Sequence, residues 1–436
     1  MITYLSLFLV PILATVLPIK FNENSNKALL ICFTTICAIL IGFKYQVGGD
    51  WGVYEKYVIG ANAVNLSAML STNDPGFMIL LWISSYLGLG QSGVNLFCSS
   101  IFMYGVYKIC KNQPLPWLAL VIAFPYLITV VGFGYTRQSM TIGLLFLVYC
   151  SWIEDKKFSK IKIISLFLFG FLFHKSILIF SPIIFLQKKG LIVNKFLIAI
   201  FLPIVLFLSY YYFSYIQMIW KFYVVQSQLH TTISENHQRS ISYGSSIRSY
   251  LNIPAILLFF LFFKNFKIFE DRRLLVVCSL ISISFIFLTP YGSTLFDRLG
   301  LYLIVFQLLI YSRIPLFFKY TQIKQLYIYV ITSLYLLIFL IWFNYANSSI
   351  AWKPYQIVFF KPTYYQNSYI LSDEVLDFNV SQAIEQLEKY KLLIDKYGSE
   401  NVFNINNSDD VLSGSEEVLK NYDINKLLRK DKIFKY

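Results

Sequence analysis

The chain of 436 residues is 57% hydrophobic and only 14% charged. Soluble domains carry roughly 25% charged residues, so the deficit excludes an ordinary globular protein and leaves an all-α polytopic integral membrane protein. The net charge of +14 does not point to nucleic acid, because the lysines and arginines lie mostly in short connections between apolar runs, where cytoplasmic loops collect them.

Apolar runs of helix length are predicted at 2–19, 27–43, 76–90, 93–110, 117–132, 136–153, 161–187, 195–214, 251–264, 273–290, 297–312 and 325–343. The first lacks a basic leader and a small-residue cleavage site, so it is read as a span and not as a signal peptide. After the second comes the stretch Lys44-Tyr-Gln-Val-Gly-Gly-Asp-Trp-Gly-Val-Tyr54, in which the chain passes from hydrocarbon to a polar, tightly turned segment. Gly48 and Gly49 can take positive φ and allow a close approach. Asp50 falls at interface depth, where an ionisable group is costly and therefore a functional candidate.

Loop charges orient the rest. Lys156, Lys157, Lys160 and Lys162 mark the cytoplasmic side, and so do Lys188, Lys189 and Lys195. The run 161–187 then rises and returns, with His174-Lys175 at its outer turn. With residues 44–74 and Gln91 both outside, the run 76–90 cannot cross; it is expected to be a re-entrant or half-depth helix buried in protein. This yields about 12 crossings, each of about 20 residues or somewhat fewer, with both termini outside. Residues 1–361 form the transmembrane part. In 362–436 acids outnumber bases, and apolar residues at helical spacing predict a small polar helical appendage on the outer face. The six cysteines lie in apolar runs without a CxxC or Cys/His spacing, and no acidic cluster calls for a cation, so neither metal nor cofactor is expected.

On this topology the unusual polar residues gather on one side: Lys44, Asp50, Arg137-Gln138, His174, then His230, His237, Arg239 and Arg248 in the long outer loop, and Asp297-Arg298. Outer arginines at helix mouths suit a diphosphate, because the guanidinium fork gives bidentate, permanently charged donors. Taken singly each has a plainer reading. Arg298 could pair with Asp297, Arg137 could reach lipid phosphates, His174 could be a satisfied polar residue between helices, and Arg239 and Arg248 could be solvated. Taken together on one face, they read as a site.

The order of short motifs resembles the EpsG-like, Wzy-type polysaccharide polymerases of bacterial envelopes. The Lys44–Tyr54 stretch is followed by Asp74-Pro-Gly-Phe77, Tyr135-Thr-Arg-Gln138, Phe173-His-Lys-Ser176, Asp297-Arg-Leu-Gly-Leu-Tyr302 and Trp352-Lys-Pro-Tyr355. Lys44 stands where that pattern usually has Arg, and Trp51 where it often has Tyr; a lysine lacks the fork for bidentate phosphate binding. The resemblance implies a GT-C-like helical bundle in the bacterial cytoplasmic membrane with its active site on the outer, periplasmic side. It implies an undecaprenyl-diphosphate-linked oligosaccharide donor and acceptor, joined into O-antigen, capsule or exopolysaccharide.

In that setting Asp50 is the expected base, with His174 second, and Arg137, Arg298, Arg248, Lys44 and Arg239 are expected to hold diphosphate. Gly48 and Gly49 would admit the sugar. Gln138, Trp51, Tyr54, Tyr302 and Tyr355 would bind glycan. Membrane lipids surround the bundle, and a chain-length regulator on the tail stays an open alternative. A transporter or flippase of the same glycan is the alternative function. It predicts inner-face polar sites and internal pseudo-symmetry, neither of which the sequence displays.

Overall fold

The computed structural model describes residues 1–17, 22–52, 74–154, 159–177, 250–289 and 293–360, together with Tyr54, Tyr57, Val58, Leu70, Phe180 and Arg248. Arg239, His230, His237, the run 195–214, the returning arm of the 161–187 hairpin, the lysines at 156, 157, 188, 189 and 195, and the appendage 362–436 lie outside the described residues.

The remaining apolar runs are helices. They are α1 (Ile2–Val16), α2 (Glu23–Gly42), α3 (Pro75–Tyr86), α4 (Gly90–Lys111) and α5 (Pro116–Ala123). Helix α5 widens into a π-helix at Phe124–Gly132, which leads into α6 (Thr136–Glu154) and then α7 (Ser159–Phe173). After the long undescribed segment come α8 (Asn252–Leu261), α9 (Arg272–Leu288) and α10 (Ser293–Gly300). A short 3-10 turn carries α10 into α11 (Ile304–Arg313), and α12 (Thr321–Tyr345) follows. Among the described residues the segments Glu23–Gly42, Phe296–Phe317 and Thr321–Tyr345 are long and apolar enough to cross a membrane. This is an integral membrane protein.

Local chemistry explains several boundaries. Asn22 caps α2 by accepting from the Ser25 N–H at 2.7 Å, and Pro75 and Pro116 open α3 and α5, where a missing N–H costs nothing. The π segment begins around Pro125, which has no N–H to donate and crowds the carbonyl one turn back. Helices α4 and α6 meet backbone to backbone: a Cβ on Gly105 would lie 2.4 Å from the Gly143 carbonyl oxygen, and one on Gly143 would lie 2.5 Å from Phe102 Cα. Small residues at such crossings let helices associate by close packing where hydrophobicity gives no drive.

One end of the bundle is tied by a buried ionic knot. Arg313 donates from Nη1 to both Asp271 carboxylate oxygens at 2.8 Å and from Nε to Gln113 at 2.9 Å. Its Nη2 donates to the Tyr149 hydroxyl at 3.1 Å, and Tyr149 donates to Asp271. The knot joins the C-terminal ends of α4, α6 and α11 to the start of α9. Lys108 and Glu154, 4.0 Å apart, lie at the same end.

The turning residues 44–52 with Tyr54, Gln91, Arg137, His174, Asp297-Arg298 and 352–355 therefore occupy the opposite end. Helix α3 has both ends there. Asp74, just before it, pairs with Arg137, and Gln91, just after it, donates to the Trp51 carbonyl at 3.1 Å. Its 12 residues rise about 18 Å, against the roughly 30 Å of a hydrocarbon core.

Candidate functional site

The junction after α2 is fixed by the chain that follows α12. Tyr45 N–H donates to the Gln356 carbonyl at 2.9 Å, Val358 N–H to Phe43 at 2.9 Å, and Gly48 N–H to Ala351 at 2.8 Å. Gly48 has φ +99°, and a Cβ there would lie 2.3 Å from the Phe133 carbonyl oxygen. Its close approach is thus to protein backbone, while nothing lies near the Cβ position of Gly49. Of the two glycines expected to admit a sugar, only Gly49 faces open space. Lys44 is 2% exposed, and its ammonium donates to that same Phe133 carbonyl. Burial lowers its pKa to about 7, against the pull of Asp50. This lysine is a clamp between the junction and the π-helix exit.

Beyond the clamp runs a chain of polar contacts. Tyr54, itself buried, donates from its hydroxyl to Asp50 Oδ2 at 3.2 Å and lies 3.4 Å from Arg137 Nε. Arg137 pairs with Asp74 at 3.4 Å, and its guanidinium lies over the Tyr54 and Phe77 rings at 5.6 and 5.3 Å. Cation–π contacts of this kind hold the fork while leaving its edge available. Gly76 allows α3 to approach α7, since a Cβ there would meet Leu172 at 2.8 Å. His174 follows α7 directly.

Charge connects these groups. Burial raises the Asp50 pKa above the ordinary carboxylate range, opposed first by Arg298, then by the Tyr54 hydrogen bond, Arg137 and Lys44. Burial lowers His174 to about 4, helped by Arg137, Arg298 and Lys175. The imidazole is therefore neutral at neutral pH, while burial makes the Asp50 carboxylate more basic than an ordinary one.

Arg298 is exposed, and among the described residues its guanidinium makes no hydrogen bond or close ion pair. Gln138 Nε2 donates to the Arg298 carbonyl at 2.6 Å, so the expected glycan ligand acts on this backbone instead. The acid beside Arg298 is taken by another partner: Arg248 grips both oxygens of Asp297 through Nε and Nη2, and lies 5.6 Å over Tyr126. The plainer alternative for Arg298, a pairing with Asp297, gives way to this contact, and Arg248 is correspondingly engaged.

Tyr302 and Tyr355, expected as stacking faces, are structural here. Tyr302 is fully buried, its hydroxyl 2.9 Å from Thr141 and 2.6 Å from Ser176. Tyr355 donates to the Leu40 carbonyl at 2.9 Å with its ring edge-on to Tyr4 and Phe133. Trp51 is partly buried and meets Tyr45 edge-on at 5.3 Å. Asp74 received no role from the sequence although its motif was noticed. An acid directly before a proline-opened helix, on the same side as an unpaired arginine, was the available signal.

The structure thus brings Asp50, Arg137, His174 and Arg298 to one end of the bundle, close enough for each to alter another's charge. A sequence model of the EpsG family matches residues 27–357, well over half of the chain. No curated protein and no solved structure matches it.

Proposed function

Because this chain belongs to the EpsG family, we propose that it is a polysaccharide polymerase, a membrane glycosyltransferase that joins lipid-linked oligosaccharide repeats into O-antigen, capsule or exopolysaccharide. The donor is a growing glycan on undecaprenyl diphosphate, the acceptor a single repeat on the same carrier, and the reaction takes place at the outer face of the cytoplasmic membrane.

The observation that carries this reading is the pairing of opposite requirements at one spot: an Asp50 carboxyl made more basic by burial, and, acting on it, an Arg298 guanidinium that holds no hydrogen bond or close ion pair among the described residues. An acceptor hydroxyl attacks the anomeric carbon of the donor. The new C–O bond forms as the bond from that carbon to the diphosphate breaks, and its electron pair leaves with the diphosphate. Asp50 takes the hydroxyl proton, and Arg298, backed by Arg137, stabilises the charge developing on the leaving group. Neutral His174 can accept or donate a hydrogen bond to a sugar hydroxyl without adding charge. Trp51 and the open flank at Gly49 offer the sugar a surface.

The test is glycan analysis of a deletion strain complemented with wild type or Asp50→Asn. Wild type should restore polymer, and Asp50→Asn at equal protein level should leave lipid cores capped with single repeats. Normal chain-length ladders from Asp50→Asn would reject the assignment. Absence of any surface repeat would favour lost export instead.

A further inference from the structure

The acid that stands at the start of α3 does not cap it. An aspartate directly before a helix commonly turns its carboxylate inward, to accept from the second or third N–H of the first turn. Asp74 holds that position, and its carbonyl accepts from the Met78 N–H at 3.1 Å, yet its side chain makes no capping bond. The carboxylate pairs instead with Arg137 Nη1 at 3.4 Å, although the two residues are 63 positions apart in the chain. Asp74 is 7% exposed, so this pair is shielded from the water that makes surface ion pairs weak.

The same first turn of α3 supplies a second wall. Phe77, fully buried, lies 5.3 Å from the Arg137 guanidinium, and the Tyr54 ring lies 5.6 Å from it, with the Tyr54 hydroxyl 3.4 Å from Nε. The turn has a firm seat. A Cβ on Gly76 would meet Leu172 Cβ at 2.8 Å and the Leu172 carbonyl oxygen at 3.0 Å, so α3 rests directly on α7. Arg137 Nε and Nη1 are thus each directed by a partner on a different segment, and among the described residues Nη2 makes no hydrogen bond. Because a guanidinium is planar, fixing two of its nitrogens fixes the direction of the third.

We propose that Asp74 is a positioning residue: its carboxylate aims the Nη2 edge of Arg137 at the diphosphate of the lipid-linked substrate. The identity of that anion rests on the polymerase reading above. Asp74 touches no substrate and acts through Arg137 alone.

Two variants separate aiming from capping. Serine caps a helix about as well as aspartate but carries no charge, whereas glutamate keeps the carboxylate and is not a preferred cap. Steady-state assays of the full-length protein in nanodiscs, with purified lipid-linked repeats, give kcat and KM. Asp74→Ser should lower kcat by about tenfold to 10²-fold with little change in KM, the effect of a misaimed group, and Asp74→Glu should recover most of the loss. Wild-type kcat in Asp74→Ser would overturn the proposal, and so would a glutamate variant no better than the serine one. Should Asp74→Ser not fold, as judged by melting in detergent, Asp74→Asn takes its place, since asparagine also caps well without a charge. Solid-state NMR of the same protein carrying isotope-labelled arginine reads the aim without turnover. The Arg137 guanidinium signal, identified by its loss in Arg137→Lys, should shift or broaden in Asp74→Ser and return in Asp74→Glu; an unmoved signal would equally overturn the inference. A wild-type protein that forms no polymer while these signals respond would sink the polymerase reading alone. Polymer made by Asp74→Ser at the wild-type rate would sink this inference alone.

Discussion

The Gln138 side-chain amide donates to the backbone carbonyl of Arg298 at 2.6 Å, so α6, which carries Arg137, also anchors α10, which carries Arg298. The two cations are positioned by adjacent residues of one helix, and they act on Asp50 and His174 as a pair.

Arg298→Ala should lower the polymerisation rate by about 10²-fold or more, the usual effect of deleting a donor to a developing anion. Arg298→Lys should recover only part, since a point charge replaces the fork. Gln138→Ala should fall between wild type and Arg298→Ala in kcat with little change in KM, because it moves Arg298 without removing it. Single-turnover assays with purified lipid-linked repeats measure all three. A Gln138→Ala enzyme with wild-type kcat would separate the two residues.

Acid dependence follows from Asp50. Its pKa is raised, and the ionised form is the base, so the rate should rise with pH through a value above the ordinary carboxylate range. The Tyr54 hydrogen bond favours the charged carboxylate. Tyr54→Phe should therefore move the acid limb of the profile further up in pH. A limb that stays put or moves down would show that the titrating group is another one.

Lys44 separates a structural role from a ligand role. Lys44→Met keeps the apolar stem but leaves the Phe133 carbonyl unpaired, at a cost on the order of 1–3 kcal/mol. Thermal denaturation in detergent should occur at lower temperature, while the protein that remains folded keeps its rate per molecule. Unchanged stability with lost activity would restore the phosphate-binding role expected from the sequence.

At the far end, Asp271→Asn or Arg313→Met alone strands a buried charge and should destabilise by about 3–5 kcal/mol. The double variant Asp271→Asn with Arg313→Met should be less damaging than the sum of the two single changes. Yield and melting behaviour of the three proteins give the comparison, and strict additivity would mean the ions are not coupled.

Much of the helical architecture was readable because helices of this kind are long apolar runs, three of which, among the described residues, are long enough to cross a membrane. Even the shallow α3 followed from two flanking segments that had to share a side. What escaped were contacts between residues far apart in the chain. Nothing near Lys44 announces a partner at Phe133, and the burial of Tyr302 depends on hydroxyls from α6 and from the turn after α7. The Asp297-Arg298 dipeptide splits between two partners for a geometric reason. Consecutive residues on a helix point about 100° apart, so neighbours in sequence face different partners, and Asp297 turned to Arg248 while Arg298 turned to the site.

The π-helix at Phe124–Gly132 carries a consequence for the rotational phase of everything after it. Backbone bonding continues almost unbroken into α6, through Tyr135 N–H to Val131 and Ser139 N–H to Tyr135. A wide turn of this kind holds an extra residue relative to an α-helix. Excising one residue there would let the segment tighten, swinging Arg137 and Gln138 about 100° around the axis, away from Asp74 and from the Arg298 carbonyl. The aim of the cationic pair is thus dialled in hydrophobic sequence that contains no charge at all.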